Sequence, residues 1–150
     1  MPKVYQINFG SDKFVTVVYL LKKSDARRLG GVYSRWGMAN RILAEKYPEI
    51  ARIAPTMNDL AELIEDYDVG AWHGDKDAAS KRDELVRAWN EVWAEVDRRY
   101  IRLREVVEVV RLQSDQQVVV DTRGFPTAID GEPVIRVRLD LDVIPRDTRE

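Results

Sequence analysis

Apolar positions recur along this chain in two rhythms: close to every second residue near its ends, every third or fourth through its middle. The N-terminal part predicts strands over residues 4–9 and 14–21. Between them Gly10, Ser11, Asp12 and Lys13 have turn chemistry, since glycine tolerates positive φ and Ser and Asp bond their own backbone. The prediction is an N-terminal β-hairpin. Residues 14–21 are apolar almost throughout, which suits a strand covered on both faces.

Helical spacing follows. Ser24 is a candidate N-cap. From Leu29, apolar residues recur at Val32, Trp36, Ala39, Leu43 and Tyr47, one face of a helix. Gly30 and Gly31 predict a break near its start, Gly37 weakens it, and Pro48 and Pro55 punctuate its end. Thr56 opens a further helix, with Asp59 three residues on to complete a capping box. Its apolar face is Leu60, Leu63, Ile64 and Tyr67. Residues 68–77 are expected to form a loop, anchored to the core by Trp72.

The longest helical pattern begins near Ser80. Val86, Trp89, Trp93, Val96, Tyr100, Leu103, Val107 and Val110 alternate steps of three and four. The expectation is an amphipathic helix to about Arg104, roughly 25 residues and ~37 Å long. Residues 105–112 suit either helix or strand, because the run is β-branched; a strand is favoured. Residues 117–122 form a strand candidate. Asp130-Gly131 is a hairpin signal, both residues accepting positive φ. In the last strand Ile135, Val137, Leu139, Leu141 and Val143 point one way, and Arg136, Arg138, Asp140 and Asp142 the other. The order predicts an α+β fold: N-terminal β-hairpin, central helices including one long amphipathic helix, and C-terminal antiparallel strands, as one domain spanning residues 1–150.

Composition narrows the function classes. Cysteine is absent, which excludes disulfides, thiolate metal sites and a cysteine nucleophile. The formal net charge is -2, so binding to nucleic acid or anionic lipid would need a local patch. The chain has no signal-peptide pattern, no Asn-x-Ser/Thr acceptor and no apolar run of membrane-spanning length. The expected location is cytoplasmic, with no membrane partner.

Candidate chemistry is sparse. His73 is the single histidine. A hydrolase would need it oriented by a carboxylate such as Asp75 or Asp77, but loop neighbours seldom supply that geometry, and an exposed structural role is expected. Glu62 with Asp66, Glu91 with Glu95 and Asp140 with Asp142 are carboxylate pairs on solvated faces, which is not the cleft geometry of a glycosidase. Leu29-Gly30-Gly31-Val32 matches no phosphate-loop or dinucleotide fingerprint. No catalytic set, cofactor or metal site is predicted.

Charge is distributed in blocks. Residues 22–47 carry seven basic and two acidic side chains, a net +5; residues 49–68 carry one basic and six acidic, a net -5. A helical segment would place Arg28, Arg35 and Lys46 on one flank. With Trp36 or Tyr33 partly exposed, it would offer a phosphate grip and a base-stacking ring. Alternatively the basic helix lies beside the acidic one, with its Glu62, Glu65 and Asp66, and the two neutralise each other. Arg98 and Arg102, one helical turn apart, would share a solvated surface.

Three functional readings result. The leading one is a non-enzymatic protein-interaction module, an accessory protein binding another protein or self-associating as a homodimer through the long helix at Trp89, Trp93, Val96 and Tyr100. The alternatives are a nucleic-acid-binding protein using Arg28, Arg35, Trp36, Arg41 and Lys46, and a hydrolase-type enzyme with a site near His73.

Overall fold

The N-terminal strands pair as their apolar pattern requires. In the computed structural model, which describes residues 1–11 and 14–146, β1 (Lys3–Ser11) and β2 (Phe14–Lys22) run antiparallel, with Val4 opposite Leu21. The expected turn residues Asp12 and Lys13 lie outside the described residues. The coverage expected on both faces of β2 holds only for its second half: Val18, Leu20 and Leu21 are buried, whereas Val15 and Val17 are exposed.

The fold is α+β, and its contacts divide the chain into two units, Met1–Tyr33 with Ile101–Glu150, and Ser34–Tyr100. In the first, β2 runs into a short helix, α1 (Lys23–Arg28). Its N-cap is Lys22 without a side-chain bond, so Ser24 lies inside the first turn instead of capping it. The predicted break is real. Gly31 has φ +99°, and a Cβ there would meet the Tyr33 hydroxyl at 2.7 Å, so only glycine fits without displacement.

After β3 (Tyr33–Ser34) the chain enters the second unit and returns through β4 (Tyr100–Arg102), a 3₁₀ turn (Leu103–Glu105) and β5 (Glu108–Arg111). Helix to Arg104 is therefore corrected: Tyr100 is already extended, and the β-branched run that follows pairs in parallel with β1, Lys3 opposite Glu108. Then come β6 (Val118–Val120), β7 (Pro126–Ile129) and β8 (Glu132–Val137). The β7–β8 turn has Asp130 at φ 50° and Gly131 at φ 78°, as the dipeptide predicts.

The main sheet has six strands in the order β5-β1-β2-β8-β7-β6. One face buries Tyr5, Val18, Leu20, Ile129 and Val134. Val110 and Val118, from strands at opposite edges, both pack on this cluster. The other face buries Val4, Leu21 and Val137 against Ala26 of α1 and Leu103, Val107, Leu139 and Ile144.

The last strand departs from its pattern. It breaks after Val137, and β9 (Asp142–Pro145) joins a separate sheet of order β3-β9-β4. Asp142, expected on the wet face, is buried because its carboxylate accepts from the Arg138 amide at 2.6 Å and closes the intervening turn. Leu141 is exposed in exchange.

The second unit is helical: α2 (Arg35–Lys46), α3 (Pro48–Ile53), α4 (Met57–Trp72) and α5 (Lys76–Arg99). Ser34 caps α2 by accepting from the Gly37 amide. The capping box is present, Thr56 Oγ1 accepting from the Asp59 amide at 3.1 Å and Asp59 accepting from the Thr56 amide at 3.2 Å. The Asn40 side chain accepts from the Met57 amide at 2.8 Å and ties α4 to α2. The loop expected over residues 68–77 contracts to a tight turn, because Gly74 at φ +91° reverses the chain and Asp75 caps α5 at once.

The core of this unit buries Ala39, Ile42, Leu43, Met57, Leu60, Leu85, Val92 and Val96, among others. Along α5 the buried line is Ala78, Leu85, Ala88, Val92 and Val96. Val86, Trp89 and Trp93 are only half-buried, so the predicted stripe is its flank. Beyond Val96 the pattern leaves the helix altogether, since Leu103 and Val107 belong to the other unit's core.

Leu85→Ala should therefore cost about 2–5 kcal/mol of stability, the range for a truncated buried leucine, and Val86→Ala less than half as much. Urea unfolding of both variants checks the register; equal losses would restore the stripe's original phase.

Candidate functional site

On the helical unit three tryptophans meet. Ser34 starts α2 so that Trp36 lies in its first turn, and the three–four spacing of α5 sets Trp89 and Trp93 on one side. The Trp36 ring lies edge-on to Trp93, centroids 4.9 Å apart, and edge-on to Trp89 at 6.2 Å; Trp89 and Trp93 are 5.9 Å apart. These are favourable quadrupole arrangements. The Arg35 guanidinium stacks on Trp93 at 4.2 Å from its centroid and reaches Asp97 at 3.3 Å. Trp36 remains 37% exposed.

Of the four predicted partner-binding residues, Val96 is 1% exposed and lies in the core, while Trp89, Trp93 and Tyr100 are partly buried and pack around it. The structure adds Trp36 and Arg35 to Trp89 and Trp93. The sequence marks Trp36 only as an apolar helix position and a base-stacking ring; its distance along the chain from Trp89 and Trp93 hides the contact.

The predicted basic set does not lie on one helix. Arg28 lies in α1 of the other unit, ion-paired with Asp25, so it does not share a helix flank with Arg35 and Lys46. Arg35 pairs with Asp97 and Lys46 with Glu95 at 3.9 Å, while Arg41 is exposed on α2. The expected neutralisation of α2 by α4 is corrected as well: the carboxylates that meet α2 belong to α5. In addition to those two pairs, Arg99 of α5 reaches Glu45 at 3.4 Å, and Tyr47 donates its hydroxyl to Glu91. On α4, Asp68 pairs with Arg82 at 2.9 Å.

Glu95 is the centre of this network. Hydrogen bonds from Arg98 first, and Arg99 second, hold its carboxyl below the usual range. Arg102 falls in β4, so it shares no helix face with Arg98. The third carboxylate pair divides: Asp140 meets Arg104 at 2.9 Å, and Asp142 closes the turn already described.

His73 is exposed at the end of α4, its ring edge-on to Trp72 at 5.5 Å. Asp75 accepts from the Asp77 and Ala78 amides, and so its Oδ1 serves α5 and not the imidazole. Trp72 does not anchor this turn; it is 85% exposed. The cause is close packing just before it, where a Cβ at Gly70 would lie 3.0 Å from that of Ala78. Small residues bring α4 and α5 together there, leaving no room for an indole between them. Among the described residues no cluster of three or more His, Asp or Glu is arranged to hold a metal ion.

Compared with known proteins, the chain matches no family model, no curated protein and no solved structure.

Because pairing depresses the Glu95 pKa, the stability it contributes is present above the carboxylate's unfolded pKa and is lost as pH falls through the folded value. Glu95→Gln should be less stable than the parent at pH 7, and the gap should close as pH falls through and below the ordinary carboxylate range. Unfolding midpoints across a pH series measure it; a pH-independent gap would assign the loss to packing.

Proposed function

We propose that this protein is a non-enzymatic protein-interaction module that binds a second copy of itself through the surface formed by Trp36, Trp89, Trp93 and Arg35. The observation that carries this reading is the partly exposed tryptophan cluster with a guanidinium stacked on its rim. Tryptophan and arginine dominate interface hot spots, because a large rigid ring and a planar cation bury much area at little entropic cost. Arg35 and Asp97 lie side by side, so a copy related by a two-fold axis would meet each charge with its opposite.

Nucleic-acid binding draws less support. Arg35 and Lys46 are ion-paired within their own unit, which lowers the gain from meeting a phosphate. No helix among the described residues is long and apolar enough to cross a membrane. A cytoplasmic location accompanies the proposal and suits a chain without cysteine.

Light scattering over a concentration series should give a mass approaching twice 17.4 kDa. Trp36→Ser should weaken the dimer at least tenfold and leave the helical circular dichroism unchanged. A monomer at every concentration would reject self-association, and a dimer indifferent to Trp36→Ser would reject this surface.

A further inference from the structure

The β-rich unit carries a concavity of about 440 Å³ whose lining includes Pro2, Lys3, Tyr5, Lys22, Asp25 and Arg28. Its construction follows from strand geometry. Alternation along β1 puts Lys3 and Tyr5 on one face. The register that pairs Tyr5 with Leu20 puts Lys22, two residues on, on that same face. The chain then turns into α1, where Asp25 and Arg28 stand one helical turn apart.

The charges are unequal and differently held. Asp25 is buried, its side chain 9% exposed, and it fixes one nitrogen of Arg28. The rest of that guanidinium is open, the side chain being 76% exposed. Lys22 is half-covered, ion-paired with Glu132, and its ammonium lies 5.9 Å from the Tyr5 ring centroid. The hydrogen bond to Glu132 keeps Lys22 above its usual range and hence charged. Lys3 is exposed and has no ion partner within 4.0 Å among the described residues. Lys3, Lys22 and Arg28 face two carboxylates, Asp25 in the lining and Glu132 paired with Lys22, which leaves a local side-chain charge of +1 in a chain whose net charge is -2. A buried acid orienting an arginine whose remaining donors face a cavity is the arrangement that receives a planar or tetrahedral oxyanion.

We propose that this pocket binds an organic phosphate, its phosphoryl oxygens held by Arg28 and Lys3 with Lys22 adding charge, and its organic part lying against Pro2 and Tyr5. A phosphate monoester is close to a dianion at neutral pH, with a second pKa of about 6, and the locally positive lining attracts it. The volume lies within the roughly 300–1,000 Å³ of small-molecule pockets and exceeds what a bare ion requires. The proposal is independent of self-association, because every residue it uses lies in the other unit.

Calorimetric titration of the full chain with adenosine monophosphate, adenosine and inorganic phosphate, at low and high salt, tests it. Saturable binding of the monophosphate that weakens with salt, weaker binding of inorganic phosphate and none of adenosine are expected. Lys3→Gln with Arg28→Gln should weaken the monophosphate at least tenfold without moving the melting temperature. If the double variant melts early because Asp25 loses its partner, Lys3→Gln alone should still give at least a threefold loss. Adenosine binding as well as its monophosphate, no saturation by either phosphate, or unchanged affinity in both variants would overturn the proposal. Equal affinity for inorganic phosphate would overturn its organic part. A single-stranded oligonucleotide that binds tighter than the monophosphate and is lost in the same variants would replace it with a nucleic-acid site.

Discussion

Burial of one face of α5 is the constraint on which the helical unit depends. Leu85, Val92 and Val96 are covered almost completely, in one core with Ile42, Leu43, Met57 and Leu60 of the neighbouring helices. Once that line is buried, the remaining positions of α5 have fixed duties. Trp89 and Trp93 fall on the flank nearest Trp36, and Asp97, Glu91 and Glu95 fall where Arg35, Tyr47 and Lys46 can reach them. The surface ion pairs are individually weak. Their placement records the rotation of α5 more than it sets it.

What was legible in the sequence was local. Thr56 with Asp59 and Asp130 with Gly131 act within four residues of themselves, so their side chains or backbone preferences suffice to place a helix start and a turn. The hairpin and the apolar face of α4 follow from short-range periodicity in the same way. The failures share a different cause. The three–four rhythm ran on through Tyr100, Leu103 and Val107, but such a rhythm reports burial and does not say which element does the burying. Those residues are covered in two separate cores. Asp142 looked solvated because alternation was perfect, yet one backbone amide was enough to turn it inward. Trp72 looked buried because tryptophan usually is; the small-residue contact that excludes it lies across the turn. For the candidate sites, Trp89 and Trp93 could be read from spacing. Their contact with Trp36, and the juxtaposition of Lys3, Tyr5 and Lys22, required strand register and helix packing that no short window contains.

The two units differ in how far their contacts reach along the chain. The helical unit is continuous, and its helices follow one another through short connections. The β-rich unit is split by it, and the pairing of β1 with β5 joins Lys3 to Glu108. Closing so long a loop costs chain entropy before any contact compensates. The helical unit draws its core from one continuous segment, whereas the main sheet needs strands from both ends of the chain.

The seam between Gly70 and Ala78 has a mechanical consequence. With a bare backbone on one side and a methyl on the other, the separation of α4 and α5 at this end is set by main-chain atoms, which do not yield as long side chains do. The exposed Trp72 ring therefore sits two residues from the point at which the helix spacing is fixed.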